Sequence, residues 1–121
     1  MVFTLSKTIT FEASHQLKHH DGKCARLHGH SWKAVIVCSG DKLISSGAKT
    51  NMLIDYGDIK KAVQHLLDNY LDHHHLNDTL KTDSPTSEYV AQWLFDELKV
   101  KLPLLKRVIV HETCTSQCIY Q

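Results

Sequence analysis

Val2-Phe3-Thr4-Leu5-Ser6-Lys7-Thr8-Ile9-Thr10-Phe11-Glu12-Ala13-Ser14-His15 alternates between two kinds of side chain. Phe3, Leu5, Ile9, Phe11 and Ala13 share one face, and Thr4, Ser6, Thr8, Thr10 and Glu12 share the other. That period of two predicts a strand with one buried face. Lys7 is the only charge at an odd position, and His15 continues the apolar side. A second strand is expected from about His28 to Ser39, where Trp32, Ala34, Ile36 and Cys38 follow His28 and His30 on the even face. The polar stretch between the strands holds an Asp21-Gly22 turn signal, so the two should pair antiparallel. The end of the first strand then lies beside the start of the second, and His15 comes within reach of His28 and His30.

Further along, Met52-Leu53-Ile54 reads as a short third strand. Asp55 or Asp58 can cap a helix running to about Tyr70, with Ile59, Ala62, Val63, Leu66, Leu67 and Tyr70 as its apolar stripe. Residues 72–85 read as polar and irregular. Ser84-Pro85-Thr86 opens a second helix that ends near Val100, with Val90, Trp93, Leu94 and Leu98 facing inward. Val108-Ile109-Val110 opens the last strand, which carries His111 and Glu112. The order β-β-β-α-α-β groups strands before helices, which favours an α+β fold on an antiparallel sheet. With both helices on one side, the other sheet face is left uncovered. Such sheets complete themselves by joining neighbours, so a homo-oligomer is expected.

The chain has 121 residues, 42% of them apolar and 22% charged, with a net charge of +1. One domain spanning 1–121 is expected. The charge gives no reason to expect a nucleic-acid or membrane partner, and no apolar run approaches the ~20 residues that cross a bilayer. The N-terminus lacks the pattern of a secretion signal, so Cys24, Cys38, Cys114 and Cys118 are expected reduced, in a cytoplasmic setting.

Three imidazoles on one patch suit zinc and leave a fourth position for water or substrate, as in catalytic rather than structural sites. Imidazole also suits other first-row metals. Cys24, just outside this set, reads as a base beside the metal; a fourth ligand and a small buried hydrophobe are its alternatives. Asp72-His73-His74-His75 offers a histidine backed by a carboxylate, the arrangement of a proton relay, or else a solvated loop after a helix. Glu112 follows a Val-Ile-Val strand core, where it either reaches solvent or receives adjacent N–H donors of a ligand. Thr86, Ser87 and Glu88 fit a helix cap. Cys114 and Cys118 read as structural.

Thr10-Phe-Glu-Ala-Ser-His15, Gly22-Lys-Cys24, His28-Gly-His30, Leu53-Ile-Asp55-Tyr, Leu71-Asp-His-His-His-Leu-Asn77, Pro85-Thr-Ser-Glu88 and Glu112-Thr-Cys-Thr occur in that order. Together they resemble the 6-pyruvoyltetrahydropterin synthase superfamily over nearly the whole chain. The Cys-x3-His-Gly-His spacing and the ending Glu112-Thr-Cys-Thr-Ser-Gln-Cys-Ile-Tyr resemble its 6-carboxy-5,6,7,8-tetrahydropterin synthase branch, which belongs to bacterial queuosine biosynthesis. The resemblance implies the tunnelling fold: a four-stranded antiparallel sheet with two helices on one face, joined with its neighbours into a barrel, commonly as a dimer of trimers with sites between subunits. It implies His15, His28 and His30 as zinc ligands, Cys24 as catalytic base, and Asp72 with His73 as relay. Glu112 becomes the anchor of the pterin ring, and Thr86, Ser87 and Glu88 become the pocket segment. His75 stands where the family more often has an aromatic. The implied substrate is a small molecule, 7,8-dihydroneopterin triphosphate, and charge alone offers Lys23 and Arg26 to its phosphates. A pyruvoyl-forming synthase, a zinc hydrolase and a non-catalytic zinc-stabilised assembly module are the competing readings.

Overall fold

The computed structural model describes residues 1–121. Strand β1 (Phe3–His15) pairs antiparallel with β2 (His28–Gly40) along its whole length, from Phe3 opposite Gly40 to His15 opposite His28. Ile9, Phe11, Ala13 and His15 on β1, and Trp32, Ala34, Ile36 and Cys38 on β2, form one buried face. The alternation in the sequence is thus the alternation in the fold. A one-residue slip of β1 against β2 would put the two apolar sets on opposite faces and part His15 from His28 and His30.

Helix α1 (Tyr56–Leu66) starts where the Asp55 side chain accepts from the Gly57 N–H, and it buries Ile59, Ala62, Val63 and Leu66. It widens into a π turn over Leu67–Leu71 that buries Leu71 and ends at Asp72. Helix α3 (Ser87–Lys99) is capped by Thr86, whose hydroxyl accepts from the Tyr89 N–H, and it buries Val90, Ala91, Leu94 and Leu98. Both helices pack on the inner face of the sheet and share one apolar core with it. Strand β4 (Leu105–Thr113) pairs antiparallel with β2.

Three features depart from the expected element list. Met52–Ile54 is not a strand. The loop folds on itself, with Ile44 N–H donating to Met52 O and Asn51 N–H to Ile44 O, while Leu53 is buried against Gly40. Its apolar residues serve a loop anchor, and no sheet edge takes its backbone. The stretch after Asp72 is not irregular throughout: β3 (His74–His75) pairs parallel with Ala13 and Ser14, and a single turn, α2 (Leu76–Thr79), follows. Finally, β5 (Ser116–Tyr120) returns as a hairpin on β4, with Cys118 and Tyr120 packed toward α3. The sheet therefore has five strands in the order β3-β1-β2-β4-β5, mixed rather than purely antiparallel. The α+β tunnelling-fold architecture, with helices on one face, stands as expected. No helix is long and apolar enough to cross a membrane.

Candidate metal centre

His15 and His28 face one another across the β1–β2 ladder, and His30 lies two pairs inward, opposite Ala13 and so on the same face. Each ring presents Nε2 to a common point, with the three atoms within 4.8 Å of one another. The opposite edges are anchored. His15 Nδ1 lies 2.9 Å from the Pro85 carbonyl, and His28 Nδ1 lies 2.7 Å from the Arg26 carbonyl. A carbonyl only accepts, so both Nδ1 atoms carry protons, and neutral rings leave a lone pair on each Nε2. Those two Nε2 atoms are 2.9 Å apart. Two lone pairs at that distance repel unless a proton or a metal ion lies between them. His30 Nε2 is buried and has no hydrogen-bond partner at all. Burial also depresses the pKa of His15, helped by the neighbouring His28 and His30 and opposed by the Pro85 carbonyl and Glu112, so its ring stays neutral. The donor set fits a divalent metal ion that accepts imidazole nitrogen. Trp32 forms the floor: its indole N–H donates to Ala13 O, and the rings of His15 and His30 stand edge-on to it at 5.1 and 5.5 Å.

The other expected residues surround this point unequally. Glu112, at the end of β4, brings Oε1 to 3.5 Å from His15 Nε2 and 3.9 Å from His30 Nε2, so it faces the cluster and does not run out to solvent. Thr86 and Ser87 open α3 directly after Pro85, whose carbonyl holds His15; Ser87 donates to Glu88. Cys24 sits on a 3₁₀ turn over Lys23–Ala25, half-buried, and is not among the converging donor atoms. It lines a cleft with Lys23, Arg26, Leu27, His28 and His30. Asp72 and His73 are paired at 3.1 Å. They are fixed to β1 from both sides: the Glu12 N–H donates to Asp72, and the His73 N–H donates to Glu12 O at 2.6 Å. The Glu12 N–H, more than His73, holds the Asp72 carboxyl below its ordinary pKa. His73 adopts φ +61°, a conformation non-glycine residues take rarely and which clusters at functional sites. His73, with Glu12, Ser14, His30, Ser31 and His75, lines a different cleft of about 630 Å³. One chain therefore brings the three imidazoles and Glu112 together, and leaves Cys24 and His73 in two different clefts, both bordered by His30.

Residues 4–121 match the family model described as 6-pyruvoyl tetrahydropterin synthase. The chain belongs to that family. A 6-carboxy-5,6,7,8-tetrahydropterin synthase of Synechocystis sp. is 44% identical over 120 residues, covering 98% of this chain and 93% of the relative. One of Haemophilus influenzae is 35% identical, covering 99% of each. The structure of a Caenorhabditis elegans 6-pyruvoyl tetrahydropterin synthase superposes with a TM-score of 0.85 at 27% identity, covering 100% of this chain and 96% of that one.

Within this family member, several supporting groups escaped the sequence. The Pro85 and Arg26 carbonyls orient two imidazoles, and a backbone oxygen leaves no mark in residue identity. Asn77 is buried and clamps Gln16 with two bonds, its Oδ1 accepting from Gln16 N–H and its Nδ2 donating to Gln16 O, each at 2.8 Å. A buried amide just after Leu76 was its one available signal. Glu12 looked like a surface residue, yet its backbone places Asp72 and His73, and its carboxylate accepts from Ser31. His75, the residue unusual for its position, shares a hydrogen bond with Ser14.

Proposed function

We propose that this protein is a zinc-dependent carbon–carbon lyase that converts 7,8-dihydroneopterin triphosphate to 6-carboxy-5,6,7,8-tetrahydropterin, acetaldehyde and triphosphate, a step of queuosine biosynthesis. The observation that carries the metal is the pair of facing Nε2 lone pairs on His15 and His28 beside the unpartnered Nε2 of His30. The 44% identity to a relative of that name, with the Cys24-x3-His28-Gly-His30 spacing, supports the carboxy branch.

His15, His28 and His30 would hold the zinc ion. When bound, it supplies Lewis-acid chemistry, stabilising negative charge that develops on side-chain oxygens. Glu112 accepts the adjacent N–H donors of the pterin ring, and the Thr86–Glu88 segment lines the ring pocket beside it. Cys24 Sγ takes a proton from the substrate side chain. His73, with its Nδ1 toward Asp72, passes protons through Nε2. Cys24 and His73 line different clefts of one chain, both bordered by His30, and we assign them to one site across a subunit interface, in a homohexamer built as a dimer of trimers. The 1–121 chain acts as one domain of that assembly.

The deciding experiment incubates zinc-loaded protein with 7,8-dihydroneopterin triphosphate and follows acetaldehyde with a coupled alcohol dehydrogenase. Acetaldehyde should appear in equal amount to triphosphate. Triphosphate without acetaldehyde would make the protein a pyruvoyl-forming synthase, the reading favoured by the C. elegans likeness. No turnover with full zinc would leave the assembly module. Cys24→Ala should keep its zinc and lose about 10²–10⁴-fold in rate; loss of zinc would make Cys24 a ligand, and full activity would favour a hydrolase using metal-bound hydroxide.

A further inference from the structure

The substrate assigned above carries a polyanionic tail, to which charge alone offers Lys23 and Arg26. Resting on that reading, we propose that the cleft at the Lys23–Ala25 turn is an oligophosphate-binding site, with Lys23 and Arg26 as its cationic wall. The cleft holds about 330 Å³ and is lined by Lys23, Cys24, Arg26, Leu27, His28 and His30. It thus adjoins two of the metal-site imidazoles and the proposed base. The ester oxygen of the tail lies one carbon beyond the side-chain hydroxyls, so the phosphates must sit at the rim of the metal centre. Glu112, which takes the ring, is not among the residues of this cleft.

The turn carries both cations on one short segment. The Arg26 N–H donates to Lys23 O at 3.0 Å, the i to i+3 bond that closes the turn, and both residues line the same cleft. The turn is also tied to the centre at two points. The Arg26 carbonyl accepts from His28 Nδ1, and the Cys24 carbonyl accepts from the Leu17 N–H, two residues past His15. The cations are therefore carried on backbone that is registered to the imidazoles.

Electrostatics separates this cleft from its neighbours. The 630 Å³ cleft contains the Glu12 carboxylate and borders Asp72. A third, of about 470 Å³, contains Asp78 and Asp83, and its Lys18 is already paired with Asp83. The turn cleft contains no carboxylate. Lys18 and Lys49 spend their charge on aspartates, whereas Lys23 and Arg26 have neither an ion pair nor a side-chain hydrogen bond. An unpaired guanidinium and an unpaired ammonium lining one cleft are suited to phosphate, the first by bidentate geometry and the second as a point charge.

The test uses inorganic triphosphate as its magnesium complex, titrated calorimetrically into zinc-loaded protein, with neopterin, which lacks phosphate, as the companion ligand. Lys23→Ala/Arg26→Ala should weaken triphosphate binding at least tenfold and flatten its salt dependence, while zinc content and neopterin affinity stay at the parental values. Arg26→Lys should recover part of the loss, and Lys18→Ala should change nothing. Parental triphosphate affinity in the double variant, or no triphosphate binding by the parental protein, overturns the assignment. If triphosphate binding depends on Lys23 and Arg26 but the substrate yields no product, the oligophosphate site stands and the reaction assigned above falls.

Discussion

At the scale of single residues, His15 has the most to say. It is buried beside two more imidazoles, and burial holds its pKa below the ordinary 6.5. Without metal, the unfolded chain therefore takes up this proton first as pH falls. Stability contributed by the neutral ring is complete above about pH 6.5 and is lost progressively below it, until the folded ring also protonates. The loss for one such group is at most about 1.4 kcal/mol per pH unit. The melting temperature of metal-free protein should accordingly drop by several degrees between pH 7.5 and pH 5.5, and a profile flat over that range would contradict a neutral buried His15. Glu112 makes a second prediction at this scale. It lies near the imidazoles but is not one of the converging donors, so Glu112→Gln should retain zinc while losing at least tenfold in kcat/KM, through its KM for the pterin. Metal loss in Glu112→Gln would recast it as a ligand.

Among the elements, the two long strands were readable because their faces differ so sharply in polarity, and the register that pairs His15 with His28 follows from that alone. The helices were readable from their caps, Asp55 and Thr86, and their stripes. Illegible elements share a cause. β3 has only two residues, too few for any period. β5 follows a tight turn through Cys114 and Thr115 that lacks the Gly or Asn expected of one. Met52–Ile54 has strand-forming residues, but its burial comes from a loop packing on Gly40. The one-turn helix α2 matters beyond its size because it carries Asn77. That amide fixes Gln16, next to His15, and its Nδ2 lies 3.4 Å from the carbonyl of Asp83, in the loop leading to Pro85. Asn77→Leu leaves the half-buried N–H and C=O of Gln16 without their partner and should cost about 1–2 kcal/mol, less than for fully buried groups because water reaches them in part. It should also weaken zinc binding, whereas Asn69→Ala, on an exposed side chain, should affect neither. Denaturant melts of zinc-loaded and metal-free protein separate the two effects, and unchanged zinc affinity in Asn77→Leu would confine the residue to stability.

The whole molecule raises the question of what a single chain lacks. Its sheet ends in an open β5 edge, and β1 is covered on its outer side only at Ala13 and Ser14. The face away from the helices bears Val35, Ile109 and a 49%-exposed Ile119, which water alone would cover poorly. Paired edges would close such sheets into a barrel. The chemistry raises the same question, since Cys24 and His73 line two different clefts that meet only at His30. The metal ligands were legible in the sequence because they sit on one ladder, whereas Cys24 and His73 sit on a 3₁₀ turn and just after a π turn, whose placement no periodicity records. Mixed oligomers test this directly. Cys24→Ala and His73→Ala should each be inactive alone. If a site takes Cys24 from one subunit and His73 from its neighbour, subunits of the two variants, dissociated and reassembled in equal amounts, should regain roughly a quarter of parental activity, because about one site in four receives both intact residues by chance. If both residues came from one chain, every site in the mixture would carry a defect and activity would stay at the level of the single variants. Zinc content, which depends on His15, His28 and His30 of one chain, should remain full in every mixture and so report that the subunits reassembled with their metal sites intact.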